Sequence, residues 1–165
     1  MVEIYNDWNG YSDITPILRH YKLRRHNQEL IGNAHFAVGG YGAASIRQQS
    51  TKKVKIPAPL AQKFFHTLTT TPLKVGTYQP LIKNRDDYPN LMIRLTIEGQ
   101  QVTFTSQSQG SGNVPWKILI ADRGGRADYI SNSSLPAQAL KLLDPILNNP
   151  GIDAIIQRNL NRKKT

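Results

Sequence analysis

Apolar residues recur along this chain with two different periods. Leu91, Ile93, Leu95 and Ile97 occupy alternate positions, with Met92, Arg94 and Thr96 between them. A period of two predicts a strand with one buried face. Glu98-Gly99-Gln100 then turns the chain into Val102, Phe104 and Ser106, which predicts a hairpin. A second hairpin is expected from Trp116, Ile118 and Ile120, through Arg123-Gly124-Gly125-Arg126, to residues 127–131. Upstream, residues 30–38 alternate through Ala34 and Phe36. Residues 45–56 end as a strand in which Val54 and Ile56 face one way and Lys53 and Lys55 the other.

The period lengthens to helical spacing at residues 57–69. Leu60, Phe64 and Leu68 fall every four residues, with Ala61 and Phe65 on the same side. Pro57 suits the first turn of a helix, and Pro72 disfavours its continuation. Ser134-Leu135-Pro136 leads into a second helix over 137–143, with Leu140, Leu143 and Leu147 on one face; Pro145 is expected to end or kink it. After the loop Asn148-Asn149-Pro150-Gly151, residues Ile152, Ile155, Ile156 and Leu160 predict a third, short helix.

Residues 14–25 fit both periods. As a helix, Thr15 caps it, Pro16 opens it, and Ile14, Leu18 and Tyr21 share a face. As a strand, Tyr21 and Leu23 point inward while His20, Lys22 and Arg24 point outward. The short His26-Asn27-Gln28 turn into residues 30–38 favours the strand. Residues 75–90 and 106–114 read as loops, the second polar and glycine-rich, which suits a long hairpin tip or an adaptable binding loop. Ile56-Pro57-Ala58 and Leu135-Pro136-Ala137 hint at an internal repeat, although X-Pro-Ala is in itself a common helix start. The expected fold is α+β: a mostly antiparallel β-sheet built of hairpins, with two to three short helices packed on one face. Residues 1–161 are expected to form a single domain, and residues 162–165 a basic C-terminal tail.

Charge alters this picture more than composition does. Lys and Arg number 21 against 11 Asp and Glu, for a net charge of +10. The excess gathers in residues 19–25, 52–63 and 158–164. A small domain ordinarily carries a net charge of ~2–8, so part of the excess is simply a solvated surface. Lys22 with Arg24, and Lys53 with Lys55, would each share a strand face. Arg162, Lys163 and Lys164, with Arg158, would add attraction without geometry. Such faces bind polyanions by releasing counterions. Gln28, Gln48, Gln49 and Tyr41 lie close enough in sequence to add hydrogen bonds or stacking. The expected function is therefore a non-enzymatic binding module. Its partner is an anionic macromolecule, either nucleic acid or an acidic protein surface. A protein-interaction or regulatory domain with some other partner is a further alternative.

Catalytic signatures are weak. No Cys is present, which excludes disulfides, thiolate metal sites and a Cys nucleophile. His20, His26, His35 and His66 show no metal-ligand spacing and read as unrelated surface or turn residues. Convergence in space would nevertheless suit a small basic phosphodiesterase or nuclease, the enzymatic alternative, with Asp86 and Asp87 near a metal. Asp86-Asp87 lies in a turn-forming stretch, and the pair alone makes no metal site. Gly39-Gly40-Tyr41-Gly42 lacks the phosphate-loop and dinucleotide patterns, and no G-x-S-x-G elbow exists. No cofactor and no metal are expected. The N-terminus lacks a basic start followed by an apolar run, and no stretch approaches the ~20 apolar residues of a membrane span. A cytoplasmic protein with no membrane partner is the expectation.

Overall fold

The computed structural model describes residues 1–8, 17–39, 46–76, 90–107 and 115–147. The chain runs β1 (Val2–Trp8), β2 (Ile17–His26), β3 (Glu29–Gly39), β4 (Ile46–Ile56), α1 (Ala58–Thr69), β5 (Lys74–Val75), β6 (Asn90–Ile97), β7 (Gln100–Gln107), β8 (Trp116–Asp122), β9 (Gly125–Ser131) and α2 (Leu135–Leu147). The described strands form one 9-stranded sheet ordered β4-β3-β2-β1-β6-β7-β8-β9-β5. Every neighbouring pair is antiparallel. The α+β expectation holds in its coarse form, with two helices among the described residues. The third helix expected near Ile152, and the basic tail, lie outside them.

The order of elements is repetitive. Strands β1–β4 followed by α1 make one half, and β6–β9 followed by α2 make the other. The halves meet where β1 lies antiparallel to β6, pairing Ile4 with Ile93. The short hairpins turn at positive φ: Asn27 at 46° and Gln28 at 68°, Glu98 at 48° and Gly99 at 85°. Two residues of that hand match the twist of the strands they join. At the β8–β9 turn, the Asp122 carboxylate accepts the N–H groups of Gly124 (2.7 Å) and Gly125 (3.0 Å).

Alternation decides which side of the sheet is buried. Val2, Ile4, Leu23, Phe36, Ile93 and Ile118 point to the inner side and are almost fully covered. The helices add Ala61, Phe64, Leu68, Ala139 and Leu143 to the same core, α1 lying against β3 and α2 against β4. Burying a side chain the size of Phe64 stabilises the fold by ~1.5–3 kcal/mol. The ambiguous residues 14–25 resolve in favour of strand, as β2.

Three features add to or depart from the sequence reading. β1 is not evident from the sequence: its apolar pattern, Val2 and Ile4, is too short to announce a strand, and its place between β2 and β6 makes it one. The chain start is tied there by Met1, whose ammonium donates to the Thr96 carbonyl (2.8 Å) and whose carbonyl accepts the Thr96 N–H (2.9 Å). β5, which pairs with Tyr129 and Ile130, ends at Val75 where the expected loop begins, and residues 77–89 of that loop lie outside the described residues. α2 continues through Pro145 to Leu147. Near a C-terminus the missing proline N–H removes a bond from only the last turn. That end is also capped, because Lys52 Nζ donates to the Ile146 carbonyl at 3.1 Å and sets a cation at the negative end of the helix dipole.

Candidate anion-binding face

The side of the sheet opposite the core carries the charges. Its composition follows from register. β2 pairs with β3 so that Lys22 lies opposite Asn33 and Arg24 opposite Ile31. β3 pairs with β4 so that Asn33 lies opposite Lys53 and Ile31 opposite Lys55. Directly opposed residues point to the same side of a sheet. Lys22, Asn33 and Lys53 thus form one row across three strands, and Arg24, Ile31 and Lys55 form the next. All but Ile31, which is half-buried, are exposed.

Elementary strand dimensions give the scale. Successive rows are roughly 6.8 Å apart along the strands, and β2 and β4 are separated by about 10 Å, or two inter-strand spacings. The result is two parallel lines of cations with β3 as a floor between them. Lys55 pairs with Glu29 at 3.0 Å, but its side chain is 65% exposed, and surface pairs of this kind contribute ~0–1 kcal/mol. A phosphate can therefore replace Glu29 at little cost.

The lysines of β4 divide by parity. Lys52 points inward, with its ammonium 5.9 Å from the Phe36 ring centroid and bonded to Ile146. Lys53 and Lys55 point outward. Among the described strands β4 is also at the edge of the sheet, and lysines commonly protect edges from pairing with other chains. That role explains Lys53 and Lys55 equally well. It does not explain Lys22 and Arg24, which sit on an interior strand.

Beyond β1 the same side changes character. Glu3 neighbours Lys22 in register and takes the Arg94 guanidinium at 3.6 Å. Arg94 also reaches the Met92 sulfur at 3.7 Å, and its Nε is buried without a hydrogen-bond partner. Thr103, next in that row, is 8% exposed. At the far end Arg126 pairs with Asp128 at 3.4 Å.

The histidines separate into distinct environments. His20 on β2 lies directly opposite His35 on β3, one row from Lys22 and Asn33. His26 ends β2 opposite Glu29, and His66 is exposed on α1, in the helix layer. Alternation alone could place His20 and His35 on one side, but their adjacency needed the hairpin register. Asp144 on α2 has its carboxyl raised above the ordinary range by burial, partly countered by Arg19 and Lys141. It belongs to the helix layer.

No cluster of three or more metal-ligating side chains exists among the described residues. Asp86, Asp87, Tyr41, the 108–114 stretch, Arg158, Arg162, Lys163 and Lys164 lie outside them, as do the side chains of Gln48 and Gln49. Gln28 accepts a hydrogen bond from Gln62 of α1 at 3.3 Å. No described helix is long and apolar enough to cross a membrane. Comparison with known proteins returns no matching family model, no matching curated protein and no matching solved structure.

Proposed function

We propose that the open side of β2, β3 and β4 binds an extended polyanion, with a nucleic acid strand as the ligand. The observation that carries this reading is the registered placement of Lys22 and Arg24 beside Lys53 and Lys55. Cations repeating every second residue on two parallel lines suit a ligand whose charges repeat regularly, as phosphates do. Exposed Asn33 on the floor adds a hydrogen-bonding side chain between them. Arg162, Lys163 and Lys164 would contribute long-range attraction.

The test is fluorescence anisotropy with labelled single-stranded and duplex oligonucleotides across a salt series. Affinity should fall steeply with salt, with a log–log slope of about −0.7 per phosphate contact for single strands and −0.9 for duplex. Absence of binding at low salt, or a slope near zero, would falsify the reading. Tighter binding of polyglutamate than of either oligonucleotide would identify an acidic protein surface as the partner instead.

A second reading, a metal-independent phosphodiesterase, draws on the adjacency of His20 and His35 beside these cations. Two imidazoles flanking one phosphate can act as general acid and general base in its cleavage. Labelled RNA that stays intact on prolonged incubation, with Mg²⁺, with Mn²⁺ and without metal, would remove that reading.

A further inference from the structure

The row next to Lys22 and Lys53 carries imidazoles. His20 faces His35, and His35 faces Thr51 on β4. The Cβ atoms of such cross-strand partners are ~4.5–5.5 Å apart. His35 Nδ1 lies 3.0 Å from Thr51 Oγ1, which holds that ring in place. The Tyr5 ring of β1 packs edge-on to His20, with centroids 4.6 Å apart.

Every neighbouring described strand contributes to the surroundings of this pair. Tyr5 and Glu3 come from β1, Lys22 from β2, Asn33 from β3, and Thr51 and Lys53 from β4; Met92 and Arg94 follow on β6. Two acids hold neighbouring register positions on β1: Glu3, which Arg94 engages at 3.6 Å, and Asp7, which pairs with Leu18, two residues before His20.

We propose that His20 and His35 form a phosphate-binding subsite that operates when the imidazoles are protonated, extending the cationic face by one row. This inference rests on the polyanion reading above. A protonated imidazole donates from both ring nitrogens. His35 then donates from Nδ1 to Thr51 and keeps Nε2–H for a phosphate oxygen. Two imidazolium groups side by side repel one another and repel Lys22 and Lys53. A phosphate placed among them reverses the sign of that energy, through charge-assisted hydrogen bonds. Protons and ligand consequently bind with positive coupling: each raises the affinity for the other by the same factor.

Anisotropy of a labelled single-stranded oligonucleotide at pH 5.5 and 8.0, over a KCl series, tests this. The wild type should bind more tightly at pH 5.5, with a salt slope steeper by about 0.7 per imidazole recruited. In a His26→Gln background, which removes the other histidine on the outward line of β2, the double variant His20→Gln/His35→Gln should bind at pH 5.5 no more tightly than at pH 8.0. His66→Gln, in the helix layer, should retain the wild-type pH difference. Imidazole NMR titrations on the wild type remove any dependence on how the variants fold. Adding oligonucleotide should shift the midpoints of His20 and His35 upward. Unmoved midpoints, or a double variant that keeps the pH difference, overturn the subsite. Binding that is salt-sensitive but indifferent to pH rejects the subsite alone, whereas no binding at either pH rejects the polyanion reading itself.

Discussion

The two halves of this protein share one plan and spend their outward positions differently. In β1–β4 and β6–β9 alike, inward residues alternate into a common core and a helix follows the fourth strand. On the outward side, β2 and β4 present Lys22, Arg24, Lys53 and Lys55, all exposed. The corresponding side of β6–β9 ties Arg94 to Glu3 and Arg126 to Asp128, and tucks Thr103 away from solvent. A strand alternates strictly, so its core-facing residues constrain the outward ones only weakly. Identical topology can then support a largely paired surface in one half and, in the other, a cationic one in which Lys55 is bridged to Glu29 at 3.0 Å while Lys22, Arg24 and Lys53 stay exposed. The asymmetry locates the candidate site more sharply than the total charge of +10 does.

The largest expected effect breaks that asymmetry. Reversing Lys22, Arg24, Lys53 and Lys55 to Glu should weaken oligonucleotide binding on the order of 100-fold or more in low salt. The salt slope should fall by about one for each phosphate contact removed. Reversing Lys117 and Arg126, on the other half, should weaken binding only a few-fold. Equal losses from both sets would mean that net charge acts without geometry, and the anisotropy titration reads this directly.

Backbone spacing within the cationic half comes next. At Gly32, on β3, an added Cβ would overlap the Lys22 carbonyl oxygen and lie 2.9 Å from Leu23 Cα. The glycine permits the close approach of β2 and β3, so Gly32→Ala must push the strands apart. Overpacking of this kind costs ~1–3 kcal/mol, measurable by urea unfolding, and should also weaken oligonucleotide binding because Lys22 moves with its strand. Gly99, in the other half, has nothing within 4 Å of a built Cβ but sits at φ 85°. Gly99→Ala should cost roughly 1–2 kcal/mol from conformation alone, with binding unaffected.

The alternating runs of β3, β4, β6, β7 and β8, and the helical spacing of Leu60, Phe64 and Leu68, were legible because burial imposes a period. The pairing of Lys22 with Asn33 was legible in principle. A two-residue turn at Asn27-Gln28 joins His26 to Glu29, and counting back along both strands brings His20 to His35. A three-residue turn at His26-Asn27-Gln28 would give a different register, and the sequence offers both lengths. The placement of Lys53 beside Asn33 was not legible. It depends on the β3–β4 connection, where Gly39-Gly40-Tyr41-Gly42 suggests a bulge or wide connection but fixes no loop length, and on a register shift between Val38 and Gly39. A one-residue slip there would send Lys53 to the core side and Lys52 outward.

Adjacent lysines on β4 allow that register to be checked. Lys52→Met keeps the stem over Phe36 but removes the donor to Ile146. It should destabilise the protein by ~0.3–1 kcal/mol and leave oligonucleotide affinity nearly intact. Lys53→Met should do the opposite, changing stability by less than about 0.5 kcal/mol while reducing both affinity and salt slope. If both substitutions weaken binding alike, the inward–outward division of β4 is wrong.

The smallest expected effect concerns the turns that set the registers. The β6–β7 hairpin places Gly99 at φ 85°, whereas the β2–β3 hairpin holds Gln28 at φ 68°. A side chain in this left-handed region costs roughly 1–2 kcal/mol. Gln28→Gly removes that strain, although it frees the unfolded chain and gives up the exposed 3.3 Å bond from Gln62. The balance should be a gain of about 0.5 kcal/mol, read as a higher urea midpoint with an unchanged slope. Oligonucleotide affinity should stay the same, because the turn lies beyond the lysine rows. A loss of stability instead would mean that the Gln28–Gln62 link to α1 outweighs the backbone strain. The β2–β3 register would then be pinned by the helix layer as well as by its turn, unlike the Glu98-Gly99 hairpin of the other half.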